Sequence, residues 1–426
     1  MSKGTVVLAL ALSVALGGAE DEEPWRLGAC EGQQPDARVV SSLKGTVMVG
    51  YQGWFLAKGD GYGAGFVHWG GVDRDPPTCT VDMWPDLTEY AQDERYATNY
   101  RHTDGTVAEV FSSAHPQTVR RHFRWMRDYD IDGAFVQRFA TAVRPNDEEH
   151  WSDRRTNAVL QHCRDAANEY GRAFAVMYDT NFDAATCDRI KEDWTRLRRD
   201  MQLLETNAYL HHGGGPLVGL WGYGFGHRKL DVEAARSLFE FLSDDRNGGC
   251  RILLGVPNDW AEWSGPKREV LDRHASVVSP WNVGRYGSNE SADAHFAKRW
   301  PGDLEACLAN GADYYPVVFP GFSWTNLKKG KSPLDQIPRR KGAFFWHQIE
   351  SVRRYGMDCI YVAMFDEVDE GTAIFKVSND PPVGDFVTYD GLPSDHYLEL
   401  TRQAKRHLNG QSFKLPEPLE RKAEEK

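Results

Sequence analysis

The chain has 426 residues, with 62 Asp and Glu against 50 Lys and Arg and a formal net charge of −12. That balance, with a pI near 5.6, excludes the basic footprint of a nucleic-acid binder and offers nothing to an anionic membrane surface, so a neutral ligand suits it better. The 14 Trp, 17 Tyr and 20 Phe supply a large core and leave aromatics over for a groove, and the length fits one barrel as well as two or three average domains.

Lys3, an apolar run over 6–16 and the small residues Gly17, Gly18 and Ala19 read as an export signal. We expect residues 1–19 to be removed, giving a secreted or periplasmic monomer with no stable membrane insertion, since the apolar run is too short to span a bilayer. Residues 20–38 are polar and read as a linker, 39–410 as one domain, and 411–426 as a charged, proline-containing disordered tail. The seven cysteines lack metal-ligand spacing; several fall in predicted strands or helices and read as core, with one or two disulfides left open.

Residues 47–55 predict a first strand, and the glycine-rich segment after it cannot continue a regular element. Residues 70–114, with Pro76, Pro77 and Pro85, predict an elaborate loop of the kind that walls a site. From Pro116 onward strands and helices alternate. Val119, Phe123 and Met126 mark a helix before a strand at 134–139; Leu160, Cys163, Ala167 and Tyr170 mark another before a strand at 174–178. A charged helix near 185–199 precedes a strand at 217–225. A helix carrying Ala235, Leu238, Phe239 and Leu242 leads to a strand at 252–256. Strands follow at 277–285 and 315–319, with a helix around 292–309 between them, and Phe345, Ile349 and Val352 mark the helix before the last strand at 359–365. Eight apolar strands separated mostly by helices predict an α/β fold, a (β/α)8 TIM barrel with long loops after its strands.

The last strand ends in acid. Asp366, Glu367, Asp369 and Glu370 place four carboxyl groups in five positions, and Gly371 then frees the backbone to turn. Like charges this close raise one another's pKa, so one carboxyl can hold a proton while its neighbour is ionised, the acid and base that acetal hydrolysis needs. A solvated acidic turn or a calcium loop is the bland alternative. Polar and aromatic residues gather just after the strands: Tyr51, Gln52 and Trp54, Gln137 and Arg138, Asp179, Trp221 and Tyr223, Asn258 and Trp260, Trp281, Arg285 and Tyr286, and Trp324. In a barrel these ends converge on one mouth, where aromatic faces stack on sugar rings and polar groups bind hydroxyls. His68 and Trp69, in the loop after the first strand, join this set. His68, His211 and His212 lack a metal motif, and we expect neither metal nor other cofactor.

The segment FDEVDEGTAI resembles the catalytic segment of glycoside hydrolase family 99, the endo-acting α-mannosidases and α-mannanases, which reads approximately NEWHEGTQI. GYQGWF on the first strand, HWG at 68–70 and SPWNVGRYG at 279–287 agree with it and with the wider grouping of families 71 and 99. The resemblance implies a glycoside hydrolase acting on a polysaccharide or glycan. Glu370 would be the general acid/base and Glu367 the second carboxylate, a base on the sugar's own 2-hydroxyl, giving an anhydro-sugar intermediate and net retention. Asp366, where Asn is usual, would stand with the substrate-binding residues; Val368, Asp369 and Ala373 replace the family's Trp, His and Gln. A family 71-like α-glucanase, a silent carbohydrate-binding barrel and a metal-dependent barrel enzyme are the other readings. Spacing alone leaves retention and inversion open.

Overall fold

The computed structural model describes residues 23, 25–30 and 40–411. The export signal and the charged tail expected beyond residue 411 lie outside these residues, as does most of the expected linker. Residues 25–30 dock on the domain instead of trailing as a linker: Gly28 N–H donates to Gln161 at 2.7 Å, and Arg154 lies 4.3 Å over the Trp25 ring.

Eight strands form the barrel. They are β1 (Val47–Tyr51), β2 (Gly133–Phe139), β3 (Ala173–Asp179), β4 (Gly215–Trp221), β5 (Arg251–Val256), β6 (Ala275–Pro280), β7 (in two pieces, Asp313–Tyr314 and Val317–Val318) and β8 (Ile360–Val362). The helices between them are α1 (Pro116–Asp128), α2 (Trp151–Tyr170), α3 (Ala184–Asp200), α4 (Val232–Ser243), α5 (Pro266–His274), α6 (Asn289–Asn310) and α7 (Ala343–Arg354), with α8 (His396–Leu408) after the last strand. Neighbouring strands pair in parallel from β6 through β1 to β8. The first piece of β7 pairs with β6 and its second with β8, so one short stretch of chain closes the ring. Pro316 sits at the change of partner; it has no N–H to give a ladder, but its carbonyl accepts from Tyr361 at 2.9 Å. The segments foreseen from apolar runs each contain one of these eight strands, because strands buried on both faces carry continuous rather than alternating hydrophobicity, as in the wholly buried β1, but those at 47–55, 217–225 and 277–285 end as strands at Tyr51, Trp221 and Pro280.

The barrel interior is filled by large side chains that need small neighbours. A Cβ on Gly50 of β1 would lie 2.2 Å from Met364 and 2.6 Å from the Tyr361 hydroxyl, so only glycine lets these residues cross the barrel axis. At the opposite end from the mouth, the buried Asp132 carboxylate accepts from Val47 N–H at 2.7 Å and Lys405 Nζ at 2.6 Å, tying α8 to β1.

The rim segment 70–114 is not wholly irregular. It holds an antiparallel hairpin, Tyr96–Arg101 with Val107–Val110, beside a packed cluster of Trp69, Trp84 and Phe111. All seven cysteines are free thiols, five of them buried, so the disulfides left open do not form. Among the described residues no helix is long and apolar enough to cross a membrane.

Candidate active site

After β8 the chain runs through a tight turn that brings the acids together. Thr372 and Ala373 both donate their N–H to the Glu367 carbonyl, at 3.1 and 3.0 Å, folding residues 367–373 into a compact loop. Three outside contacts fix that loop. Asp82, 0% exposed, accepts from Thr325 and Asn326 N–H at 2.7 Å each; its own N–H donates to the Val368 carbonyl at 2.9 Å. Ser323 N–H donates to the Glu370 carbonyl at 2.9 Å, and Arg339 donates to the carbonyls of Gly371 and Ala373 at 2.8 and 2.6 Å.

The four carboxyls have different surroundings. Asp366 is fully buried and caps the end of β1, accepting from the Gln52 and Gly53 N–H groups at 2.8 and 2.9 Å; burial pushes its pKa up to about 7 against those bonds. Glu367, 4% exposed, accepts from Gln52 Nε2 at 2.6 Å and Thr372 Oγ1 at 2.7 Å. Burial first, then the charges of Glu370 and Asp369, raise its carboxyl well above the ordinary range, and the two donors oppose them. Asp369, buried, meets His68 Nδ1 at 3.0 Å. Glu370 is partly open; burial and the Asp369 charge lift its pKa to about 7, against an opposing pull from Lys328. Burial and neighbouring carboxyls thus raise both glutamates, so that a proton is retained at this group closer to neutrality than on free carboxyls.

Around this group stand half-buried side chains from several strand ends. Trp54 stacks on His68, with ring centroids 4.0 Å apart and 7° between planes, and on Phe139 at 5.4 Å. Gln137 donates to the Tyr361 hydroxyl at 3.1 Å, and Tyr361 lies 6.0 Å from the Trp281 ring, which meets Trp221 edge-on at 5.5 Å. Asp179 forms a two-pronged pair with Arg228 at 2.6 and 3.0 Å, and that guanidinium lies 4.6 Å over Trp221. Trp324, one residue beyond Ser323, carries Lys328 4.3 Å over its ring. Gln52 Oε1, Asp369 Oδ1 and the indole N–H groups of Trp54, Trp221 and Trp324 are buried without a hydrogen-bond partner. Such orphans at one mouth are what a hydroxyl-rich ligand would satisfy.

Several residues expected at the mouth lie elsewhere: Tyr51 and Arg138 because strand side chains alternate between barrel interior and helix layer, and others, in loops beyond the strand ends, because they pack into the core. Tyr51 points outward and donates or accepts at His122, 2.9 Å away. Arg138 turns into the helix layer, where both its Nε and Nη2 lie 2.6 Å from Asp193. Tyr223 packs on Phe182 and Phe239, Tyr286 on Phe296 and Phe319, and Trp69 on Phe55 and Phe111; all are buried. Asp366 holds backbone rather than facing an opening, whereas Arg285 stays exposed in the loop after β6. Asn258 spends its amide on the Trp281 carbonyl at 2.7 Å, and Trp260 is wholly buried. Tyr361, Thr372 and Arg228 were not foreseen. Tyr361 could have been found from the twofold alternation along β8, whereas Arg228 carries no local signal.

No family model matches this chain, and no curated protein matches it by sequence. Solved structures do. The GH99 endo-α-mannosidase of Bacteroides thetaiotaomicron superposes with a TM-score of 0.64 at 15% identity, covering 86% of this chain and 98% of that one. A second structure of that enzyme, in complex with BIS-TRIS-propane, gives 0.63 at 16% over the same shares. A glycoside hydrolase-like protein gives 0.51 at 15%, covering 90% of this chain and 98% of the other. The chain thus shares the fold of these barrels along nearly the whole of their length.

Proposed function

We propose that the protein is a secreted glycoside hydrolase that cleaves a polysaccharide or glycan with net retention, Glu370 acting as general acid/base and Glu367 as the second carboxylate. The observation that carries the reading is the contrast between the two glutamates at the end of β8. Both oxygens of Glu367 meet donors, Gln52 and Thr372, which favour its ionised form against the burial and neighbouring charges that raise its carboxyl. The Glu370 side chain has no such donors, is lifted to about 7 and is partly open to the mouth, as suits a proton donor.

In this reading Glu370 gives its proton to the glycosidic oxygen as the C1–O bond breaks. Glu367 takes the proton of the 2-hydroxyl, whose oxygen closes on C1 to form the anhydro-sugar. Water then attacks C1, losing its proton to Glu370, while Glu367 returns a proton to O2, so both carboxyls end as they began. The half-buried Trp281 and Trp324 offer aromatic surface for the flanking sugars, with Gln137 beside them, and Trp54 and Trp221, already stacked on His68 and Phe139 and on Phe225, would meet sugars by their indole N–H edges. The fold shared with endo-α-mannosidase makes α-mannosides the first substrates to try, and Val368, Asp369 and Ala373 are where specificity would diverge.

The test is to incubate the purified protein and its Glu367→Gln and Glu370→Gln variants with α-mannan, α-glucans and xylans and to follow released oligosaccharides. Turnover by the wild type alone is expected. Glu370→Gln should lose about a thousandfold on natural linkages but much less on aryl glycosides with good leaving groups, which need little protonation. Equal loss on both substrate kinds would refute the acid assignment. Release from none of them, with binding of one glycan by all three proteins, would make the barrel a binding module.

A further inference from the structure

Asp369, in the turn between the two glutamates, pairs with His68 from the loop after β1 in a contact that the hydrolysis scheme does not use. Asp369 is 2% exposed; its Oδ2 meets His68 Nδ1 at 3.0 Å and its Oδ1 has no partner. A carboxylate only accepts, so Nδ1 of His68 carries the proton in this bond. His68 is itself firmly held. It takes a positive φ of 63°, rare for a residue with a Cβ, its carbonyl accepts from Thr80 Oγ1 at 2.5 Å, and its ring lies flat on Trp54. A buried carboxylate with half its acceptor capacity empty, beside three other carboxyls, is an expensive arrangement for a loop staple, which an amide or hydroxyl would provide with less repulsion.

We infer that Asp369 and His68 form a positioning pair: His68 fixes the carboxylate of Asp369, the residue directly before Glu370 in the chain, and this fixed charge keeps the proton on Glu370 until the leaving oxygen takes it. The inference rests on the acid role proposed for Glu370. The Asp369 charge raises both glutamates, directly after burial in the case of Glu370. The other charged groups around the loop are Asp366 and Glu367 on the same segment, Lys328 from the loop after β7, which pulls Glu370 the other way, and Asp82, Asp335 and Arg339 behind it, held to Ser323 or to the loop's carbonyls. Among the described residues it is His68 that bonds the Asp369 carboxylate. The role proposed for the pair is exerted through Glu370.

The deciding experiment is a carbon-13 NMR titration of glutamate side-chain carboxyls in the full protein, the Glu370 signal being assigned by its loss in Glu370→Gln. Asp369→Asn, which keeps the acceptor for His68 but removes the charge, should lower the Glu370 midpoint by about one pH unit. His68→Leu should move it in the same direction, because Asp369 without its donor is free to turn away, and His68→Asn, which keeps a donor near the Nδ1 position and tolerates the positive φ, should restore the wild-type midpoint. On any glycan the wild type hydrolyses, the alkaline limb of kcat/KM should move down with the midpoint in Asp369→Asn, with KM little changed. An unmoved Glu370 midpoint in both Asp369→Asn and His68→Leu would overturn the inference whether or not the protein is active. A shifted midpoint in a protein that hydrolyses nothing would uphold the pair and sink the proposed function instead.

Discussion

Gly371→Ala adds one methyl group directly beyond the proposed acid, and the structure lets its consequences be worked out. Gly371 has a φ of +61°, a region that costs an L-residue about 1 kcal/mol. The new Cβ would also lie 2.8 Å from the backbone nitrogen of Ser323 and 3.0 Å from its carbonyl oxygen and Cβ, contacts that cannot be relieved by turning a side chain. Ser323 has little freedom to retreat, because its N–H holds the Glu370 carbonyl and its hydroxyl bonds Asp82 and accepts from Asp335 N–H. The strain therefore falls on the loop that carries Glu370. We expect a stability loss of about 2–3 kcal/mol, and a fall in kcat of about 10- to 100-fold, since a displacement well under 1 Å at a reacting group already matters. Gly356→Ala is the control: that glycine has a φ of +81° with nothing within 4 Å of its Cβ position, so it carries the conformational penalty without the clash. Thermal denaturation and turnover, measured on both variants, separate the two effects. If Gly371→Ala kept full activity, or if Gly356→Ala lost as much, the claim that Ser323 and Gly371 set the position of Glu370 would be wrong.

Arg138→Met should destabilise the protein by about 3 kcal/mol, because it leaves the buried Asp193 carboxylate with only Arg196 and Tyr178, yet glycan affinity should stay within twofold; a selective loss of binding would return Arg138 to the groove. Asp303 of α6 is buried and lifted to about 7, mainly by burial. A carboxyl raised in the folded state binds more protons there than in the unfolded chain, so its contribution to stability falls as pH rises from about 4 to 7 and stays low above. Asp303→Asn should therefore raise the melting temperature at pH 8 by a few degrees and leave it nearly unchanged at pH 4; an equal shift at both would refute this.

The barrel itself was legible in the sequence. Strands buried on both faces leave uninterrupted apolar runs, helices leave residues such as Val119, Phe123 and Met126 at helical spacing, and no long-range information is needed to see either. The carboxyl cluster was equally local, since Glu367 and Glu370 lie on one short segment. The site wall was read less well. Proximity to a strand end says that a residue is near the mouth, but a one-residue step reverses which way its side chain points: Gln137 faces the interior while Arg138 enters the helix layer to reach Asp193. The exact end of each strand sets that parity, and composition does not specify it.

Contacts between distant segments were decided by the tertiary structure alone. Asp82 grips Thr325 and Asn326, His68 reaches Asp369, and Gln52 reaches Glu367, each across hundreds of residues. The sequence could place acids together, because neighbours in the chain are neighbours in space. Which acid would be bonded on both oxygens depended on Gln52, delivered by β1, meeting Thr372 of the turn itself, while the rim and the loop after β7 hold the turn's carbonyls, and only closure of the barrel brings those three distant segments within hydrogen-bond reach of one turn.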